Sequence, residues 1–449
     1  MRNYDLEVPV SDNNLSITKN YDKCITCGYC RKACVVDETQ QEMLKTNPNK
    51  EIVCINCGQC TNICPTESLS EVFAYKKVKS ILNNKNGNTI VFNIAPAVRV
   101  ALAEEFNAKN SINVESKIVT ALKKIGADYV FDITFGADLT IMEEAMELVN
   151  RIKNNGVLPQ FTSCCPAWVK YLEIYHPDFI SNLSTAKSPI AMQGTMIKTY
   201  FANIKKIDPE KIINIVVAPC TAKKMEIERD EINYTQKDTD YILTTRELAL
   251  LLKEENIDIM NLEETNFDSP LGKGSSAGVI FGASGGVCEA AIRTAYYFLT
   301  GENMKKEDLV LSSIRGNSSI KEATININNR KIKVAVCNGI KSAESIILKI
   351  KNKEVNYDFI EVMTCLGGCS GGGGQPKITM LDMLEVKEDR MNTLYKEDEK
   401  MTLRLCHENP EIKEIYASYL GVPNSIVAEK LLHTNYKDKS YMLGGKKNE

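Results

Sequence analysis

Two runs of cysteine with one shared spacing constrain this chain more than any other feature. Cys24, Cys27, Cys30 and Cys34 form C-x2-C-x2-C-x3-C, and Cys54, Cys57, Cys60 and Cys64 repeat it, with Pro65 directly after. The chain carries 16 cysteines in all. Its N-terminus, MRNYDLEVPVSDNNLSI, lacks the apolar core of a signal peptide, and no run of about 18 apolar residues occurs, which predicts a cytoplasmic protein. Thiols in a reducing compartment bind metal or react more often than they form disulfides. A zinc ribbon needs C-x2-C pairs and would leave the third cysteine of each run idle, so the spacing favours a ligand set that uses every thiol.

The doubled spacing resembles the bacterial two-cluster ferredoxins, in which three cysteines of one run and the fourth of the other hold each [4Fe-4S] cubane. By that resemblance Cys24, Cys27, Cys30 and Cys64 hold one cluster, and Cys54, Cys57, Cys60 and Cys34 the other. A leader over 1–18 and a small α+β ferredoxin-like domain over 19–80 are expected. The chain has 449 residues, 43% of them hydrophobic, which is enough for further domains with real cores. With a net charge of -3 and well-mixed signs, no nucleic-acid footprint or polybasic membrane patch is indicated.

Electrons delivered by such a module need a destination. After a polar connector expected over 81–88, β-rich runs alternate with helical ones, the pattern of parallel βα units. Strands are predicted over 89–95, 129–135, 213–219, 331–338 and 357–364, and helices over 138–154, 244–255 and 285–299. Cys164 and Cys165 follow a short run, Cys220 ends one strand, and Cys365 and Cys369 end another. Ligands of open parallel sheets bind beyond the carboxyl ends of the strands, so these thiols can face one crevice. Gly367, Gly368 and Gly371 to Gly374 would let the backbone approach something bulky there.

The segments TSCCPAW (162–168), PCTAKKMEIE (219–228) and EVMTCLGGCSGGGGQP (361–376) resemble the signatures of the [FeFe]-hydrogenases, and the similarity extends to FGADLTIMEEA, LSTAKSP, FGASGGV and CHEN. The resemblance implies the iron-only hydrogenase large-subunit fold, a two-lobed α/β catalytic domain over 89–435, with a polar tail over 436–449. It implies that Cys165, Cys220, Cys365 and Cys369 hold a third [4Fe-4S] cubane. Cys369 would also bridge to a two-iron subcluster with CO, CN⁻ and azadithiolate; the whole is the H-cluster, where 2H⁺ + 2e⁻ and H2 interconvert. Family members relay protons through residues matching Cys164, Glu144, Ser184, Glu147 and Arg151. Lys223 matches a lysine that hydrogen-bonds a cyanide ligand, while Met363, Ala95, Pro96 and Ser188 match residues of the surrounding pocket. Left to spacing alone, Glu144, Glu147 and Arg151 read as a solvated helix face, and Lys223 with Glu226 as a helical ion pair.

Departures fall in that pocket: Ala218, Ala97 and Ile190 stand where many members have Met, Ser and Gln, leaving fewer hydrogen bonds to the site. The first cysteine stands too near the start for the extra cluster domains of larger relatives. The implied partners are H2 and protons as substrates, a ferredoxin or similar low-potential carrier, and dedicated maturation proteins, in an anaerobic, oxygen-sensitive setting. An H2 sensor on the same scaffold and a cubane-only relative of the iron–sulfur assembly factors are the alternatives; retention of Cys164, Lys223 and Met363 argues against the second. Cys288, Cys337 and Cys406 read as buried fillers, His176, His407 and His433 lack ligand spacing, and LGKGSS (271–276) lacks the register of a phosphate loop.

Overall fold

Runs of β-branched and aromatic residues, each followed by a helical segment, build two mostly parallel sheets that face each other across a shared crevice. The computed structural model describes residues 6–8, 10–46, 52–316, 318–328, 330–379 and 381–444. Residues 1–5 and 9 of the expected leader, and 445–449 of the expected tail, lie outside them. In chain order the strands are β1 (Ile17–Lys19), β2 (Leu69–Glu71), β3 (Thr89–Ile94), β4 (Tyr129–Asp132), β5 (Gln160–Phe161), β6 (Ile212–Ala218), β7 (Tyr241–Thr244), β8 (Ile320–Ile327), β9 (Arg330–Asn338) and β10 (Phe359–Met363).

One sheet has the order β4-β3-β6-β7 and is parallel throughout. The other runs β5-β10-β9-β8, parallel except for β8, which pairs antiparallel with β9 at the edge. Strands buried on both faces read as continuous apolar runs, which is why β3, β6, β9 and β10 are legible without the structure. Two-residue β5 and the polar hairpin strand β8 are not.

The strand expected over 129–135 stops at Asp132. The Asp132 carboxylate accepts a hydrogen bond from Thr134 N and caps the helix Ile133–Lys153, so Ile133, Thr134 and Phe135 turn into a helix despite their β propensity. That helix is buried on most of its circumference, as expected of one packed between layers rather than on a surface. It carries Glu144, Glu147 and Arg151 into the interior.

The cysteine-rich segment forms the β1–β2 antiparallel pair with short helices and is fastened to the first sheet. Helix Tyr75–Asn83 runs across the expected boundary at residue 80. Tyr75 Oη donates to Glu254 Oε1 at 3.1 Å, and the buried Arg246 guanidinium clasps Glu71 at 2.8 Å. Residues expected as a polar tail are likewise anchored: Tyr436 Oη donates to Ser184 O at 3.0 Å, and Lys439 Nζ pairs with the buried Glu173 at 2.7 Å. Among the described residues no helix is long and apolar enough to cross a membrane.

Candidate active site

Strands of both sheets run out toward one cavity. Ala95, Pro96 and Ala97 follow β3, Ala218, Pro219 and Cys220 lie at the end of β6, Cys164 and Cys165 follow β5, and Met363, Thr364 and Cys365 lie at the end of β10. All line the same cavity, joined by Ile133, Ile190, Lys223, Phe281 and Cys369. This is the place where open parallel sheets hold ligands, with each sheet contributing two strand ends.

Four thiols from three chain segments, those of Cys165, Cys220 and the loop pair Cys365 and Cys369, surround this apolar space. Burial first, then the neighbouring thiols Cys365 and Cys165, push Cys220 up to about 12. Burial and Cys165 push Cys365 up to about 11, and Cys369 rises well above the ordinary thiol range through burial and its neighbouring thiols. Thiols held together yet reluctant to ionise are suited to a cationic centre that takes them as thiolates. Among the described residues no three Cys, His, Asp or Glu side chains converge as they would on a single ion. The thiols are instead spread round a cavity, which suits a polynuclear iron–sulfur group.

The glycine run has a second use that is not legible in the sequence. A Cβ on Gly372 would stand 2.2 Å from Pro219 O, and one on Gly373 would stand 2.1 Å from Cys57 O and 2.7 Å from Gly58 Cα. The bare backbone therefore makes room for the end of β6 and for the cysteine-rich segment, not only for a ligand. Gly373→Ala is expected to lower stability by about 1–3 kcal/mol through overpacking, read as an earlier unfolding midpoint; an unchanged midpoint would show that the contact yields at no cost.

In the cysteine-rich segment, Cys24, Cys27, Cys30 and Cys64 line one cavity, and Cys34, Cys54, Cys57 and Cys60 another. Cys27 is exposed, whereas Cys57 and Cys60 are buried. Main-chain amides point at the sulfurs: Asn56 N donates to Cys54 at 3.4 Å and Leu69 N to Cys64 at 3.4 Å. Cys57 also lies close enough to Cys365 for the two to oppose each other's ionisation.

Behind Cys164 stands a line of polar groups. The Glu144 carboxyl is fully buried, and neither oxygen has a hydrogen-bond partner. Burial first and the nearby Glu147 second hold its pKa well above the usual carboxylate range. Ser184 lies near enough to temper that effect, but its hydroxyl donates to Glu147 Oε2 at 2.7 Å. Glu147 Oε1 in turn accepts from Arg151 Nη2 at 2.7 Å, and Arg151 is tied to Leu183 O at 2.8 Å and Val157 O at 3.0 Å near the surface. Cys164 is itself buried, and burial first, then Glu144, raises its proton affinity well above normal. Of the five residues, Ser184, Glu147 and Arg151 are joined by hydrogen bonds, while Glu144 lies near enough to Cys164 and to Glu147 for their charges to be felt.

Lys223 makes the ion pair that spacing suggested and also faces the cavity. Its Nζ pairs with Glu226 Oε2 at 2.7 Å and donates to Cys164 O at 3.2 Å, while the side chain lines the cavity. Ser188 stands one step back: its hydroxyl donates to Glu226 Oε2 at 3.0 Å, so it orients the partner of Lys223. Ala97, Ile190 and Ala218 all line the cavity. Missed by sequence reasoning were Thr364, which accepts from Cys165 Sγ at 3.3 Å, and Ile133 and Phe281 in the cavity wall. His433 was also missed: Thr185 Oγ1 lies 2.7 Å from its Nδ1, and Thr185 N donates to Glu147 Oε2 at 3.1 Å. Only tertiary structure brings that histidine to the line of polar groups.

Comparison with known proteins agrees with this geometry. Residues 88–373 match the family model described as iron-only hydrogenase large subunit, C-terminal domain, and 384–439 match iron hydrogenase small subunit. Iron hydrogenase 1 of Clostridium pasteurianum is 42% identical over 444 residues, covering 95% of this chain and 77% of that protein. Cytosolic iron-sulfur assembly component 3 of Rattus norvegicus is 31% identical over 359 residues, 77% of this chain and 74% of its own. A solved variant of the [FeFe]-hydrogenase HydA1 from Chlamydomonas reinhardtii superposes with a TM-score of 0.71 at 37% identity, over 82% of this chain and 99% of that one.

Proposed function

The chain belongs to the iron-only, or [FeFe], hydrogenase family, and from that premise we propose that it interconverts 2H⁺ + 2e⁻ and H2 at an H-cluster between its lobes. In this reading Cys165, Cys220, Cys365 and Cys369 would hold a [4Fe-4S] cubane, and Cys369 would also hold a two-iron unit. When bound, that unit, with its CO, CN⁻ and azadithiolate ligands, supplies the metal chemistry at which protons and electrons meet. Cys24, Cys27, Cys30 and Cys64, and Cys34, Cys54, Cys57 and Cys60, hold the two further cubanes of a ferredoxin-like domain over 19–80. The exposure of Cys27 and the nearness of Cys57 to Cys365 support the first set as the entry and the second as the inner station. A ferredoxin or similar low-potential carrier is the external partner, and maturation proteins supply the two-iron unit.

The chain's own residues do the proton work. Cys164 Sγ gives a proton to the cavity and regains one from Glu144, whose hold on a proton burial strengthens. Ser184 Oγ, near Glu144, donates to Glu147, and Arg151 keeps Glu147 oriented at the outer end. Lys223, fixed by Glu226, keeps one cation in an otherwise apolar pocket, where a fixed charge acts through a low dielectric. Ile133, Ile190, Phe281 and Met363 exclude water from it.

The observation that carries this reading is the meeting of four thiols from both sheets with a buried, unpartnered Glu144 behind Cys164. The test is infrared spectroscopy of anaerobic, maturase-treated protein under argon and then under H2, with turnover measured on the same sample. Sharp CO and CN⁻ bands that shift under H2, with turnover, are expected. No such bands, with the cubanes intact and a control hydrogenase matured in parallel, would move the chain to a cluster-binding role instead.

A further inference from the structure

Gln59 opens the short helix Gln59–Ile63, between Cys57 and Cys60. Its side chain leaves the cysteine-rich segment and reaches the glycine loop of the second lobe, with Nε2 at 3.1 Å from Cys365 Sγ and 2.9 Å from Gly371 O. A primary amide carries two N–H bonds, so one can face the sulfur while the other anchors the group. Asn62 Nδ2, from the same helix, donates to Gly372 O at 3.1 Å and holds helix and loop in register. The main-chain N–H of Gln59 faces the thiol of Cys57. One residue therefore touches two cluster sites: its backbone lies beside Cys57 and its side chain donates to Cys365.

We propose that the Gln59 amide is a positioning residue that raises the reduction potential of the iron–sulfur group held by Cys365, so that an electron passes more readily inward from the Cys57 site. This rests on the reading that Cys365 ligates a cubane. A donor to a thiolate sulfur draws charge from the cluster and favours the reduced form, which carries one more negative charge. In apolar surroundings that hydrogen bond is felt more strongly than in water. The docking of the cysteine-rich segment is thereby translated into the redox poise of the site it serves.

The experiment is a potentiometric titration of the full, matured chain, followed by infrared and electron paramagnetic resonance, for the wild type, Gln59→Met and Gln59→Glu. Gln59→Met keeps the length of the side chain without the donor, and Gln59→Glu keeps its shape while replacing the donor with an acceptor. Both are expected to move the site cubane's one-electron step to lower potential, Gln59→Glu further. The cubane at Cys57 is expected to stay where it was, because the backbone N–H is untouched. Unchanged site potentials in either variant, at wild-type iron content and unfolding midpoint, would overturn the proposal. Wild-type protein whose iron content and electron paramagnetic resonance account for two cubanes rather than three would overturn the reading beneath it, and the proposal with it.

Discussion

Replacing Cys164 by alanine is expected to lower H2 turnover about 10²-fold or more, within the range that a positioned acid–base group contributes, while the CO and CN⁻ bands of the matured protein stay recognisable. The reason is geometric: Cys164 lines the cavity beside Cys165, and the next group able to hold a proton behind it is Glu144. Alanine keeps the four proposed ligand thiols and the Lys223–Glu226 pair, since Lys223 donates to the main-chain oxygen of residue 164 rather than to its side chain. Near-normal turnover at full cluster content would remove Cys164 from the proton path.

Glu144→Gln is the second large effect, and it separates function from stability. Turnover is expected to fall by about 10²-fold, because an amide cannot give up and regain a proton as a carboxyl does. Stability is expected not to fall, because neither carboxyl oxygen has a partner to lose, and an amide never bears the cost of ionising in a buried site. The pH dependence carries a sign. With its pKa raised in the folded state, Glu144 holds a proton that the unfolded chain releases above roughly pH 4.3, so its contribution makes the native protein less stable as pH rises. An amide in its place cannot titrate, so the stability difference between the Glu144→Gln variant and the wild type should widen in the variant's favour as pH rises above the unfolded value of roughly 4.3 in denaturant titrations. A parallel loss of stability at all pH values would mean that the residue is held by contacts rather than poised for proton transfer.

The two substitutions also mark how far the sequence could be read. Cysteine spacing and the apolar runs of β3, β6, β9 and β10 are local signals, and each survives into the structure. The helical offsets of Glu144, Glu147 and Arg151 are local too, and Arg151 does pair with Glu147 across one turn. The burial of Glu144 is not local: it depends on a helix that starts at Ile133, where β propensity pointed to a strand and the Asp132 cap prevailed. Ser184 joins the polar line from another segment, and Thr185 and His433 meet from residues far apart in the chain. The glycine run gave an incomplete answer for the same reason, since the atoms that crowd Gly372 and Gly373 belong to Pro219 and Cys57.

The contact of Gly373 with Gly58 has a consequence for anyone recombining such proteins. Where Gly373 meets Gly58, main chain lies against main chain, so at that point there is no side chain that could shrink to admit a foreign partner. A donor module grafted in place of residues 19–80 would have to present glycine at the position of Gly58 and the same loop path beside it. The cysteine-rich unit of this hydrogenase is thus interchangeable only among modules of matching backbone shape, however different their surfaces.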